Sequence, residues 1–365
     1  MKKKIFYLSI LMLFLVACGG SSDDINSPNG TTEGDNNNND APDLTTWLIP
    51  VSQVKDGGPG KDGIPSIDFP NFVAASSSEA GFLNDNDLVI GIVNDNDAKA
   101  YPHLILDWHE IVNDKLNDDF VTINYCPLTG TAFGWKSISN GTKSTFGVSG
   151  LLYNSNLILY DRNSDSLWSQ LELKCVNGKQ IGDEPTLVNV IETNWGTWKK
   201  LYPLTKVLSL QTGFDRNYGF YPYGSYKTNH DYFLFSVSPS NNALPNKERV
   251  YAVIDEDISK VYQFSKFNGG KALRETINGK EYLVVGNENL ITAFEISSEN
   301  SNLSFQYEFN NSETFFKDNE GNKWNIFGKA IEGERKGETL KSTKSVVSFW
   351  FAIAAFYPNP EIYIN

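Results

Sequence analysis

Apolar residues along this chain come in short runs bounded by Asn, Asp and Gly. Leu88 to Val93, Val121 to Tyr125 and Leu157 to Tyr160 each hold four to six residues, the length of a strand, and turn-forming residues flank them. The pattern predicts a mainly β protein with a few short helices, of the α+β class. Two stretches depart from it. Thr193 is placed to cap a helix that carries Trp195, Trp198 and Leu201 and stops before Pro203. Val346 to Phe356 is an apolar run too short to cross a bilayer, which reads as a buried helix closing the core.

The runs also echo one another. The segment Val89 to Tyr101 resembles Val250 to Tyr262, Thr131-Ala132-Phe133 recurs as Thr292-Ala293-Phe294, and the Tyr160 to Trp168 spacing recurs as Phe316 to Trp324. Three matches in one order predict two degenerate β-rich repeats packed into one body. The expected organisation is a first repeat with a candidate site over 47–190, a helix and aromatic connector over 191–245, and a second repeat with the C-terminal helix over 246–365.

Side-chain chemistry is concentrated between His103 and Gln170. Asn117-Asp118 lies midway between two strand-like runs, and a two-residue hairpin there pairs residue i with residue 235 minus i. In that register His109 faces Cys126. Alternation with period two then puts His109, Asn113, Thr122, Asn124 and Cys126 on one face, and Val112, Val121, Ile123 and Tyr125 on the other. A thiol acts as nucleophile or metal ligand only as thiolate, which a neighbouring imidazolium favours. Cys126 and His109, with Glu110 or Asp161 orienting the ring and Arg162 and Gln170 nearby, are therefore the candidate catalytic residues. His103, His109 and Cys126 are the candidate ligands of a copper or zinc ion. Near the matching positions of the second repeat, Gly269 to Ile277 and Gly286 to Asn289, there is neither histidine nor thiol. The alternative is a buried structural Cys126 and a hydrogen-bonded His109. The tyrosines of the connector, Tyr218 to Tyr226, offer a second kind of site: Tyr221 and Tyr223, with Tyr153 and Trp168, are candidate ring surfaces for a glycan or other flat ligand. The Asn/Asp stretches at 84–87 and 94–97 lack the closing Glu of a calcium loop and read as turns. There is no P-loop, dinucleotide fingerprint or nucleophile elbow.

The N-terminus changes the expected compartment. Lys2, Lys3 and Lys4 precede an apolar run from Ile5 to Val16 that ends in Ala17-Cys18, the pattern of an export signal over 1–17. A cysteine after the small residue matches a bacterial lipobox, so Cys18 is the expected lipidation site, an ordinary secreted protein being the alternative. Residues 18–46 are mostly Gly, Ser, Asn, Asp, Thr and Pro, the composition of a flexible tether. Asp23 and Asp24 follow the anchor closely, so the expected location is the bacterial outer membrane, facing the periplasm or the cell surface. Removing the three signal lysines takes the formal net charge from −13 to −16. So acidic a chain disfavours nucleic acid as a partner and leaves the membrane contact to the lipid.

The motifs His109-Glu110-Ile111-Val112-Asn113-Asp114 and Cys126-Pro127-Leu128, with Gly57 to Pro65 and Phe349 to Ala352 at the ends, resemble the bacterial domain-of-unknown-function family numbered 3179. The resemblance implies an exported or membrane-associated protein and no established activity. Relatives carry a second cysteine where Thr129 stands here, which points away from dithiol redox chemistry in this chain. Cys175 matches no motif of the family, which argues against an essential pairing with Cys126.

Overall fold

The computed structural model describes residues 46–365 apart from Asn96 and Asn140. The export signal, Cys18 and nearly all of the tether lie outside the described residues. The body is mainly β, with three short α-helices: α1 (His103–His109), α2 (Trp195–Leu201) and α3 (Trp350–Phe356).

Besides a two-stranded ribbon, Ile138–Ser139 with Thr142–Lys143, three sheets are built largely before residue 210. The first contains the antiparallel pair Leu88–Asn94 and Asp97–Pro102, flanked by Ile191–Asn194 on one side and on the other by the parallel strand Lys206–Leu208, beyond which Phe72–Ala74 forms the edge. The second is the meander Ile111–Leu116, Asp119–Cys126 and Thr131–Lys136. The third is centred on Phe146–Tyr153 and Asn156–Asp161. After residue 245 three further sheets follow, centred on Arg249–Asp255 with Ile258–Gln263, on Lys280–Asn287, and on Phe316–Asp318. The two largest apolar clusters each mix residues from both ends of the chain. One joins Cys126, Leu128 and Trp135 to Val250, Phe349 and Trp350, and the other joins Val89 and Trp198 to Leu283 and Trp324.

The hairpin register is the expected one. Ile111 pairs with Asn124, Val112 with Ile123 and Asn113 with Thr122, around a turn in which Asn117 takes a positive φ of 52°. The faces divide as period-two alternation requires: Val112, Val121, Ile123 and Tyr125 join one apolar cluster, while Ile111 and Cys126 face another. The face read as free for chemistry is buried. Asn113 donates to Asp68 and to the Phe146 carbonyl, and Thr122 donates to Asn113.

Both predicted helices form, with shifted edges. Thr193 remains a strand residue paired with Val89, and the α2 cap is Asn194, whose side chain accepts from the Thr197 amide. Only Trp350 to Phe356 of the C-terminal apolar run is helical. Val346 to Phe349 belong to the strand Lys344–Phe349, because β-branched side chains pack well on the sheet they join.

A β-bulge matters for the site. The register between Phe146–Tyr153 and Asn156–Asp161 shifts between Val148 and Leu151. Gly150 lies there at φ 81°, and a Cβ would meet the Gly60 carbonyl oxygen at 2.7 Å, so only glycine lets the 57–64 segment lie this close. Trp198 is fully buried, and its indole N–H donates to Thr205 Oγ1 at 2.9 Å. Trp198→Ala is therefore expected to cost about 3–5 kcal/mol in urea unfolding, and a loss below about 1 kcal/mol would contradict this packing.

Candidate functional site

One turn of chain decides where the chemistry falls. Helix α1 ends at His109 and the next strand begins at Ile111, so Glu110 alone must reverse the backbone. It does so at φ 58°, ψ −35°, a conformation that costs a residue with a Cβ. Its amide donates to the Leu106 carbonyl and its carbonyl accepts from the Tyr125 amide at 2.7 Å, which locks the turn against the neighbouring strand.

The expected meeting of His109 and Cys126 does not form. His109 lies on a helix, not on the paired strand, and both ring nitrogens are engaged elsewhere. Nδ1 lies 2.7 Å from the Pro65 carbonyl and so carries the proton, since a carbonyl only accepts; Nε2 accepts from the Tyr218 hydroxyl at 2.6 Å. Burial holds its pKa below the usual value, and the ring is neutral near pH 7. Cys126 is buried among Ile111, Leu128 and Phe133, and its Sγ lies 3.5 Å from the Ser155 carbonyl. Burial, then the Glu110 carboxylate, pushes its thiol up to about 11, the opposite of what a thiolate nucleophile needs. Cys126 and Cys175 are both free thiols.

The metal reading meets the same geometry. His103 and His109 stand six residues apart on one helix and face different directions. His103 packs on the Tyr125 ring at 4.4 Å, with Nε2 3.7 Å from Glu192. Among the described residues no three His, Cys, Asp or Glu side chains are grouped to hold a metal ion, so the set His103, His109 and Cys126 does not fit copper or zinc.

Asp161, Arg162 and Gln170 hold the fold locally. Asp161 is fully buried and accepts from the Ser164 amide and hydroxyl, the Trp168 indole and the Gln180 amide. Arg162 ties down the 62–68 segment through Asp68 and Ser66. Gln170 joins a buried network with Thr131, Asn156 and Asn124. Trp168 is a core ring against Phe146, and Tyr153 meets Phe356 edge-on. Asp318 accepts from the Trp324 indole as Asp161 does from that of Trp168.

The structure does bring the connector onto α1. The Tyr218 hydroxyl meets His109, the Trp108 indole donates to the Phe220 carbonyl, and the Tyr223 hydroxyl lies 3.4 Å from Glu110 Oε1. Tyr221 and Tyr223 are not an exposed platform; they are partly buried, 5.5 Å apart, and Tyr221 donates to the Pro127 carbonyl. Sequence reasoning missed Asp107. His103, Asp107 and Glu110 stand at i, i+4 and i+7, the spacing of one helical face, a signal hidden when His109 and Glu110 are read with the strand.

Glu110 lines a cavity of about 120 Å³ whose other walls include Pro59, Ile64, Leu128, Val148, Tyr223 and Phe235. Burial raises its carboxyl to about 8, with Tyr223 opposing and Asp107 adding to the rise. Asp107, raised by burial to about 7, lines a separate cleft of about 450 Å³ on the same helix. The arrangement defines a mainly β protein with two buried carboxyl groups on one short helix, each opening to its own cavity. The chain belongs to the family described as protein of unknown function DUF3179, which matches residues 61–360. No curated protein and no solved structure matches the chain.

Both carboxyls titrate higher in the folded chain than in the unfolded one. The folded state therefore binds more protons between their unfolded values, about 4, and their folded ones; the stability they confer is complete below that window and is lost as pH rises through about 7 and about 8. The buried histidines and Lys247, held below their usual values, act with the opposite sign, so the readout is a difference between variants. Glu110→Gln is expected to melt closer to wild type at about pH 6 than at about pH 9, where it gains on it; an unchanged difference across that range would refute the protonated carboxyl. A thiol reagent is expected to leave native Cys126 unmodified and to label it on unfolding.

Proposed function

We propose that this chain is a lipid-anchored extracytoplasmic protein, held to the bacterial outer membrane through Cys18, that binds a small and mainly apolar molecule against the protonated carboxyl of Glu110. The basic start, short apolar run and Ala17-Cys18 junction support the anchor. The reading of the site rests on one observation: a glutamate occupies a left-handed backbone position and aims a carboxyl at an apolar cavity.

The comparison with the second half gives this weight. We read the two halves as diverged copies, because the order of elements supports it. Leu88–Asn94 and Asp97–Pro102 correspond to Arg249–Asp255 and Ile258–Gln263, and the meander Ile111 to Lys136 corresponds to Lys271 to Glu295. Each of α2 and α3 also leads from an antiparallel edge strand to a short parallel one. At the offset that relates Val89 to Val250 and Thr131 to Thr292, Glu110 corresponds to Lys271, a regular strand residue paired with Gly286, and the positive φ of that half falls one residue earlier, on Gly270 at 86°. The second half thus carries its positive φ on a glycine, whereas the first half carries it on a glutamate and so brings a carboxyl to the cavity.

At neutral pH a carboxyl with a pKa near 8 is a hydrogen-bond donor. With the Tyr223 hydroxyl beside it, it suits a ligand with a carbonyl or similar acceptor on an apolar body, and the cavity has about the volume that takes a benzene-sized ring. Cyclohexanone is a suitable probe. Titration followed by NMR is expected to give a Kd on the order of 1 mM near pH 7, weakening as pH rises through about 8. Glu110→Gly is expected to abolish binding yet to raise stability by about 1 kcal/mol, because it relieves backbone strain and removes a buried acid. A Glu110→Gly variant that binds the ketone as well as wild type, or that unfolds more readily, would show Glu110 to be a structural residue.

A further inference from the structure

The geometry points to a second ligand site in the cleft on the connector side of α1, one that takes an organic ammonium ion between Asp107 and the aromatic rings of the connector. Two independent observations carry this. The first is an unsatisfied acceptor: Asp107 is 4% exposed, and its Oδ1 is buried without a hydrogen-bond partner while its side chain lines the cleft. An orphaned carboxylate oxygen in such a place costs free energy, so something gained offsets it.

The second is a resident cation. Lys227 reaches into the cleft from the connector, with Nζ 4.1 Å from the centre of the Tyr221 ring and 3.7 Å from Asp107 Oδ2. An ammonium over a ring face and beside a carboxylate is the arrangement by which aromatic sites hold cationic ligands. The Lys227 side chain is nearly half exposed, and its contact with the carboxylate is looser than a hydrogen bond. It therefore sits at this position as a displaceable stand-in for a ligand cation. Tyr218, Phe220 and Phe82 supply further ring surface, and the open cleft of about 450 Å³ admits more than a lysine head group. The net charge of −13 attracts cations and repels anions over the approach.

Asp107 has several charged or titratable neighbours. Lys227 and Tyr221 face it from the connector and Tyr125 from the adjoining strand, Asp87 lines the same cleft, and His103 and Glu110 flank it along its own helix and cap. Ammonium binding favours the charged carboxylate, so affinity is expected to rise as pH increases from about 6 to about 8. The ketone site at Glu110 has the opposite trend, which keeps the two tests apart.

Choline and its uncharged isostere 3,3-dimethylbutan-1-ol can be titrated into the full mature protein and followed by NMR. Choline is expected to bind at millimolar concentration and at least about tenfold more tightly than the isostere. Asp107→Asn should weaken choline about tenfold, and Lys227→Met should strengthen it several-fold by removing the internal competitor. Should Asp107→Asn fail to fold, Lys227→Met decides alone: unchanged or weaker choline binding in that variant overturns the proposal. So does equal binding of the isostere, and binding of methyl β-glucoside in place of choline would assign the cleft to saccharides.

Discussion

The turn at Glu110 is the constraint on which the rest of the site depends. A seven-residue helix runs directly into a strand, with one residue between them to reverse the chain. A glycine would make that reversal without strain. With glutamate there, the left-handed backbone directs a carboxyl into the space between the meander and the bulged strand, and the bond from the Tyr125 amide keeps it in place. The same turn fixes the direction of α1 and so brings Asp107 to the cleft and His109 to Pro65 and Tyr218.

Around this turn the protein tolerates an uncommon amount of buried ionisable material. His103, Asp107, Glu110, Tyr125 and Glu192 all lie within the body, while Arg249 pairs with Glu192 from a half-exposed position. Desolvation is the largest cause of the shift at each of the five buried groups, which drives the acids and the histidine alike toward their neutral forms. A carboxyl that keeps its proton, as that of Glu110 does, is cheaper to bury than a carboxylate and still donates and accepts hydrogen bonds. Asp161, Gln170 and Asn113 serve packing, with their hydrogen-bonding atoms taken up by turns and strands of the fold. Asp107, like Glu192 and Asp255, leaves one oxygen unpartnered, and Glu110 has only a long contact to Tyr223.

The connector joins two kinds of chemistry that the chain carries far apart. Its tyrosines lie over a hundred residues from α1, yet they close both cavities, Tyr223 on the Glu110 side and Tyr218 and Tyr221 on the Asp107 side. An aromatic loop read alone suggests a flat exposed surface. Packed on a helix, the same rings become walls, with their hydroxyls spent on Pro127, His109 and Glu110.

What the sequence by itself determined is local and periodic. Alternation of side chains with period two located the hairpin around Asn117, its register and the division of its faces, because strand pairing next to a tight turn leaves no freedom in which residues oppose. The spacing of apolar runs between turn residues likewise indicated the mainly β class and the approximate positions of α2 and α3. Only the tertiary structure decided the site. Whether His109 and Glu110 extend the strand or end a helix depends on contacts with Pro65, Tyr125 and Tyr218, which come from distant parts of the chain. A thiol that is reactive in water becomes inert when Leu128 and Phe133 exclude solvent, and a carboxyl gains its proton for the same reason. Burial is a property of the packed body, and no spacing of residues along the chain encodes it alone.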